Sequence, residues 1–139
     1  MTRTEADLAR LLRLLRPVRN AGVYVFASLP HGIALPSLDP VATMREKEGW
    51  TVVVDEHQAR AANLRVLFRA AWITLEVQSG LDAVGLTATI SATLAQAGIS
   101  CNVVAGAFHD HLFVPYEEGQ AALELLLALQ RTQPPGDTR

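Results

Sequence analysis

Hydrophobic and polar residues alternate along residues 72–78, so that Ile73, Leu75 and Val77 share one side of the chain. Such a period of two is typical of a strand with one buried face. The spacing then changes to that of a helix, which we predict over residues 83–97, with Asp82 as its N-cap and Gly98 after its end. The predicted core stripe of this helix consists of Ala83, Leu86, Ile90, Leu94 and Ala97.

Residues 83–109 contain no Asp, Glu, Lys or Arg, although 19% of the whole chain is charged. Charged side chains are rarely buried, so their absence over such a long segment predicts a core or an interface. Small residues occupy the remaining faces of the predicted helix and allow other backbones to approach. We therefore expect this helix to be covered on more than one side, with the other half of the chain as its second neighbour.

Two further strands and a helix complete the second half of the chain. We predict strands over residues 99–106 and 112–115, with Val103 opposite Val114 and Ala105 opposite Leu112, because this register matches apolar pairs. Glu117 and Glu118 then open a last helix. The second half thus reads β-α-β-β-α.

The first half repeats this order less regularly, after a leucine-striped helix that Thr4 can cap. Asp39-Pro40 is typical of a helix start. The predicted elements are strands over residues 23–29, 50–54 and 66–68 and short helices over residues 40–47 and 56–62. The fold class is therefore α+β, with two related ferredoxin-like units packed together.

Composition narrows the classes of function. The chain has 139 residues and a net charge of −2, so no electrostatic field favours nucleic acid or an anionic membrane. The single cysteine is typical of a reducing compartment, and neither a signal peptide nor a membrane span is evident. We expect a cytoplasmic protein that needs no cofactor.

His109-Asp110-His111 is the most conspicuous cluster of reactive side chains. Two histidines at this spacing on a strand share a face and could bind a metal with His31 or His57 as a third ligand. The favoured interpretation is a polar hairpin tip, since no zinc-site spacing is present. Cys101 is interpreted as a buried thiol rather than a nucleophile.

The best candidate for a binding site is the loop over residues 78–85, which leads into the neutral helix. Free N–H groups at a helix start can hold a carboxylate, and Gly80 and Gly85 allow a small ligand to approach the backbone. Asp82 could contact an amino group. A plain connection between strand and helix is the alternative.

At these residues the chain resembles the ACT domain family of amino-acid metabolism. Residues 82–88 (Asp-Ala-Val-Gly-Leu-Thr-Ala) are similar to the family's acidic-x-x-Gly-Leu-x-Ala pattern, and residues 94–103 to the run that enters the second strand in aspartate kinases. Residues 39–49, 73–75, 98–105 and 109–115 resemble, more narrowly, short bacterial proteins made of two tandem ACT-like units without a catalytic domain.

The resemblance implies a ferredoxin-like (βαββαβ) ACT-type sandwich with antiparallel sheets, divided into an N-terminal helix and degenerate ACT-like unit at residues 1–69, an ACT domain at 70–131 and a disordered tail at 132–139. It also implies a homodimer and a ligand beside the first loop of one unit. The residues so implied for ligand binding are Gly80, Leu81, Asp82, Val84, Gly85, Leu86 and Asn102. The expected function is non-catalytic regulation through a bound free amino acid. The alternative is a structural or adaptor protein whose surface mediates assembly without a ligand.

Overall fold

The structure, a computed structural model, describes residues 2–32, 38–77, 81 and 83–133. Its elements combine one seven-stranded sheet with helices that pack against it. In chain order they are α1 (Arg3–Arg13), β1 (Arg16–Arg19), β2 (Tyr24–Leu29), β3 (Ala42–Arg45), β4 (Trp50–Asp55), α2 (Glu56–Ala61), β5 (Val66–Glu76), α3 (Leu86–Gln96), β6 (Asn102–Ala105), β7 (Asp110–Pro115), a 3-10 turn (Tyr116–Glu118) and α4 (Gly119–Arg131).

The long strand β5 organises the sheet, in which every pair is antiparallel and the order is β3-β4-β2-β5-β7-β6. One edge of β5 pairs first with β2 and then with β1, while its other edge pairs with β7. Two four-stranded sets therefore share β5: β5-β2-β4-β3 and β1-β5-β7-β6. Both have the strand order of a ferredoxin-like unit, which confirms the predicted fold class.

The N-terminal segment belongs physically to the second of these sets. Leu12 and Leu15 are buried in the largest apolar cluster, together with side chains of β5, α3, β7 and α4. A second cluster joins β2 and β4 to Ala59 of α2. The predicted boundary between residues 69 and 70 falls within β5, and α1 and β1 pack with the elements beyond it. The division of the chain into 1–69 and 70–131 stays a prediction.

A third cluster lies on the opposite face of the sheet. Ile73 and Leu75 face the helices, so Ala70 and Trp72 point the other way, because neighbouring residues of a strand alternate between faces. Phe113 is fully buried on this second face, among residues of strands and the segment just before β3. The sheet thus has apolar side chains on both of its faces.

Several predicted elements differ from the structure. Residues 40–47 were expected to be helical, but β3 forms a hairpin with β4, closed where the Glu46 N–H donates to the Gly49 carbonyl at 2.9 Å. Residues 66–68 and 72–78, predicted as separate strands, form parts of one strand, β5. Thr2 rather than Thr4 caps α1, in a capping box with Glu5.

The hairpin of β6 and β7 is shifted by two residues from its predicted register. Val103 pairs with Leu112 and Ala105 with Asp110. Either register keeps Val103 on the helix side, since a shift of two leaves the alternation unchanged.

Among the described residues, no helix is long and apolar enough to cross a membrane. Most of the tail that was predicted to be disordered, residues 134–139, lies outside the described residues.

Candidate functional site

The loop between β5 and α3 carries most of the predicted ligand-binding residues. Gly80 and Asp82 lie outside the described residues, so their predicted contacts with a ligand stay predictions. Leu81 and Val84 are exposed, at 74% and 70% of their surface. Leu86 is buried and packs in the main core. The loop therefore exposes apolar side chains to solvent directly before α3, and Leu86 fixes the start of that helix in the core.

Gly85 has a φ of +94° and is the N-cap of α3, which begins at Leu86, whereas Asp82 was the predicted N-cap and Ala83 the predicted first residue. Among the described residues, no side chain caps the helix there. The first helical bond in this turn is that of the Thr89 N–H to the Gly85 carbonyl, at 3.0 Å. The N–H groups of the preceding residues consequently point out of the helix without an intrahelical acceptor. This end of α3 can bind a carboxylate through those groups and the positive end of the helix dipole.

Leu8 of α1 covers one side of this helix start. A Cβ built on Gly85 would lie 3.2 Å from Leu8 Cδ2, so the leucine packs directly against the glycine backbone. This contact was not predicted from the sequence. The apolar stripe of the first helix showed that Leu8 faces a core, but nothing in the pattern indicated that α1 reaches α3.

Asn102 lies away from this loop. On β6 it pairs with Phe113, which in turn is opposite Trp72. β5 continues from Trp72 to Glu76, where the loop begins, and at the rise of a strand these two residues are about 13 Å apart. Within one chain the structure therefore does not bring Asn102 next to Val84 and the other loop residues.

The turn between β6 and β7 lies at the end of β5 where the loop begins. Ala105 pairs with Asp110, and Asp110 with Leu75. The Gly106 N–H donates to the His109 carbonyl at 2.9 Å and closes the turn. The hairpin tip, which was considered as a metal site, thus lies at the same end of β5 as the predicted ligand loop.

His111 takes part in a hydrogen-bond network on the second face of the sheet. Trp72 Nε1 donates to His111 Nδ1 at 3.0 Å, and Thr74 Oγ1 lies 3.3 Å from the same nitrogen. Asn20 Nδ2 donates to Thr74 Oγ1 at 2.9 Å. Because an indole N–H can only donate, His111 Nδ1 must accept, and the proton of the neutral ring sits on Nε2.

Burial lowers the pKa of His111, the nearby His109 lowers it further, and Asp110 partly offsets both effects. The His109 Nδ1 atom is itself buried and has no hydrogen-bond partner among the described residues. Across residues 2–32, 38–77, 81 and 83–133, no three His, Cys, Asp or Glu side chains come together as metal ligands do. Neither His31 nor His57 therefore completes a metal site with His109 and His111.

Cys101 precedes β6 and is partly buried. Burial raises the pKa of its thiol, which keeps the sulfur protonated and weakly nucleophilic. This environment fits the interpretation of Cys101 as a packed thiol.

Comparison with protein families gives two matches that together span nearly the whole chain. Residues 3–71 match one model described as ACT domain, and residues 68–128 match a second model with the same description. The two matches overlap within β5, the strand that both halves of the sheet share. A search of curated proteins finds no match to this chain.

Solved structures with the same fold include one from Vibrio cholerae, a protein of unknown function described as a possible transport protein. It is 42% identical, with a TM-score of 0.82, and the match covers 91% of this chain and 98% of that one. A protein from Agrobacterium tumefaciens matches at 22% identity and a TM-score of 0.68, over 84% of this chain and 89% of its own.

The ligand-free regulatory subunit of aspartate kinase from Thermus thermophilus has the same arrangement at 10% identity. Its TM-score is 0.62, and the match covers 81% of this chain and 95% of that one. At this identity the likeness concerns the fold alone.

Proposed function

Since the chain belongs to the ACT domain family, we propose that it binds a free amino acid and has a regulatory rather than a catalytic role. The start of α3 is the observation that carries this proposal. Gly85 itself provides no side-chain cap, and the exposed Leu81 and Val84 flank it. An α-amino acid with an apolar side chain would need N–H donors for its carboxylate and, beside them, apolar side chains to contact.

In this proposal each group of the ligand meets a different part of the loop. The α-carboxylate accepts from the free N–H groups after Gly85, and the backbone at Gly80 allows a close approach. Asp82 supplies a carboxylate for the ammonium group, while Leu81 and Val84 contact the side chain. Leu86 anchors the helix in the core. Asn102 would reach such a ligand only from a neighbouring copy of the chain, given its distance along the sheet.

A thermal-shift screen of the twenty amino acids at millimolar concentration tests the proposal. A ligand present at 100 times its Kd stabilises the folded state by about 2.7 kcal/mol, which corresponds to a shift of several degrees in Tm. If no amino acid raises the Tm, the adaptor alternative replaces the sensor.

A substitution at Val84 locates the site. Val84→Asp puts a negative charge beside the helix start, where it favours the dipole but repels a carboxylate ligand. We expect Val84→Asp to keep or slightly raise the Tm of the free protein and to abolish the ligand-induced shift. Leu14→Asp is the matched control, because Leu14 is another exposed aliphatic residue, 56% accessible and at the C-cap of α1. Loss of the shift in both variants would argue against a site at Val84.

We further propose that two copies pair through the exposed face of α3. Only Leu86, Ile90 and Leu94 of this helix are buried in the single chain. The first half of the chain supplies a neighbour through α1, as predicted, and α4 also lies beside α3, but the remaining face of the helix is open. The open face is uncharged and made of small residues. Its exposed members are Thr87, Ala88, Ala92 and Ala95.

Sedimentation analysis of an interface variant tests the pairing. Ala92→Arg places a long cation in the middle of the neutral face and should convert a dimer into a monomer. Ala61→Arg introduces the same side chain at an exposed alanine of α2 and should leave the dimer intact. A dimer that survives Ala92→Arg would place the contact between copies elsewhere.

A further inference from the structure

The two outer strands of the sheet approach each other on the face opposite the helices. Val41, just before β3, and Ala42, the first residue of β3, line a cavity together with Val104 of β6. These strands are the two ends of the strand order, and they are not paired with each other. The sheet therefore curls until its edges meet across a cavity of about 120 Å³, and a register shift between Phe26 and Ala27 contributes to that curvature.

Aromatic side chains give this cavity a fixed floor. Phe113 is fully buried there, and its ring lies 5.3 Å from the ring of Phe26 in an edge-on arrangement. Trp72 stacks on Phe113 with 6.3 Å between ring centroids and 16° between planes. The Trp72 indole is further fixed by its hydrogen bond to His111. Trp72, Phe113 and His111 all line the cavity, so its shape is set before any ligand arrives.

Among the residues that line the cavity, His111 has a side chain that can form one more hydrogen bond. Nδ1 accepts from Trp72, and among the described residues no hydrogen bond involves Nε2. Gly106 leaves room beside that atom, because a Cβ built on Gly106 would lie 3.3 Å from His111 Nε2. In the neutral ring Nε2 carries the proton. Apolar residues thus line the cavity together with His111, whose Nε2 N–H has no partner among the described residues.

We propose that this cavity is a second ligand site, for a small molecule with an aromatic or branched apolar group of about six non-hydrogen atoms and one hydrogen-bond acceptor. An apolar cavity of about 150 Å³ in another protein holds benzene, so the volume here suits a ligand of one small ring. The acceptor of the ligand takes the proton of His111 Nε2. The site lies on the opposite face of the sheet from α3 and is independent of the amino-acid site proposed there.

Pyridine is a suitable probe, because it has one ring and one nitrogen acceptor. In a ¹⁵N-labelled sample, pyridine at millimolar concentrations should shift the indole N–H signal of Trp72 in a saturable way and leave that of Trp50 unchanged. A Trp50→Phe variant assigns the two signals. The proposal is overturned if the Trp72 signal does not move, or if it moves linearly without saturation.

Filling the cavity tests the location. Ala42→Leu and, independently, Val104→Phe should each weaken pyridine binding at least tenfold. Thr43→Leu places a leucine on the other face of β3 and should leave the affinity unchanged. Undiminished binding in a folded Ala42→Leu or Val104→Phe variant would show that pyridine binds elsewhere.

The role of His111 is tested with benzene, which has the shape of pyridine without the acceptor. In the parent protein the hydrogen bond favours pyridine, and a typical net hydrogen bond corresponds to about fivefold in affinity. In His111→Phe this preference should be lost, so the ratio of the two dissociation constants should change about fivefold. An unchanged ratio would show that His111 does not donate to the ligand.

Discussion

Leu8 on α1 lies against the backbone of Gly85, the residue that begins α3. A side chain at position 85 would meet Leu8 Cδ2 at 3.2 Å, and the φ of +94° already disfavours any residue with a Cβ. The N-terminal helix therefore holds in place the helix start to which we assign ligand binding. Two separate physical effects, backbone strain and a close contact, act on the same residue.

Gly85→Ala should lower the free energy of unfolding by about 1–2 kcal/mol, because both effects oppose a Cβ there. Urea unfolding measures the loss. Gly98→Ala is the matched control, since Gly98 has a φ of +75° but nothing within 4 Å of its Cβ position. A larger loss at position 85 than at 98 isolates the Leu8 contact. Equal losses would mean that Leu8 moves aside without cost.

Leu15→Ala tests the assignment of the N-terminal segment to the second half of the sheet. Leu15 is fully buried among side chains of that half, and truncating such a leucine costs about 2–5 kcal/mol. Leu126→Ala in α4, equally buried in the same cluster, should cost a similar amount. Leu14→Ala removes an exposed leucine and should cost little. A loss below about 1 kcal/mol for Leu15→Ala would show that the N-terminal segment is not part of this core.

The second half of the fold could be predicted from sequence because each of its elements has a clear period of its own. Ile73 and Leu75 alternate with polar residues, and Leu86, Ile90 and Leu94 follow a helical spacing. These five side chains are buried as the patterns predicted, whereas Ala83 and Ala97, the two ends of the predicted core stripe, are exposed. Local pattern and tertiary packing agree at the five buried positions, which is why the α+β class and the ferredoxin-like units could be recognised.

The first half shows where local signals fail. Asp39-Pro40 imitates a helix start, yet β3 follows, because pairing with β4 outweighs a weak local preference. The four residues of β1 carry two arginines and a proline and have no strand pattern of their own. Their pairing with β5 is a long-range contact, so the shared strand and the role of α1 at Gly85 could not be predicted from sequence.

The packing of α4 against β5 predicts a similar sensitivity at Gly119. A Cβ on Gly119 would lie 2.8 Å from the Cβ of Ala71, a fully buried residue that cannot move easily, and 2.6 Å from Cζ of Arg19. Alanine is the better helix former by about 1 kcal/mol, but overpacking of this kind costs about 1–3 kcal/mol. Gly119→Ala should therefore destabilise the protein.

A second substitution separates the two neighbours of Gly119. In Ala71→Gly/Gly119→Ala the Cβ moves from the strand to the helix, so the double variant should be more stable than the sum of the two single losses implies. Gln120→Ala, at the exposed next position of α4, is the control for helix propensity. Strict additivity of the two single changes would point to Arg19 rather than Ala71 as the obstacle.

The hydrogen bond between Trp72 and His111 predicts a dependence of stability on pH. Protonation of Nδ1 would remove the acceptor of the indole N–H, and burial already lowers the pKa of His111 below its ordinary value of 6.5. The unfolded chain then binds this proton more readily than the folded one. The contribution of His111 to stability is therefore complete above about pH 6.5 and declines as the pH falls through the folded-state pKa.

Two variants separate the causes, with the pKa of His111 followed by NMR titration of its ring protons. Trp72→Phe removes the donor to Nδ1 and should raise the pKa of His111, since the neutral ring loses a hydrogen bond that only it can accept. Asp110→Asn removes the carboxylate that favours the charged ring and should lower this pKa further. His109, Asn20 and Thr74, the other polar residues near the ring, are unchanged in both variants. A pKa that falls in Trp72→Phe would contradict the assigned tautomer, because it would mean that Nδ1 carries the proton in the folded protein.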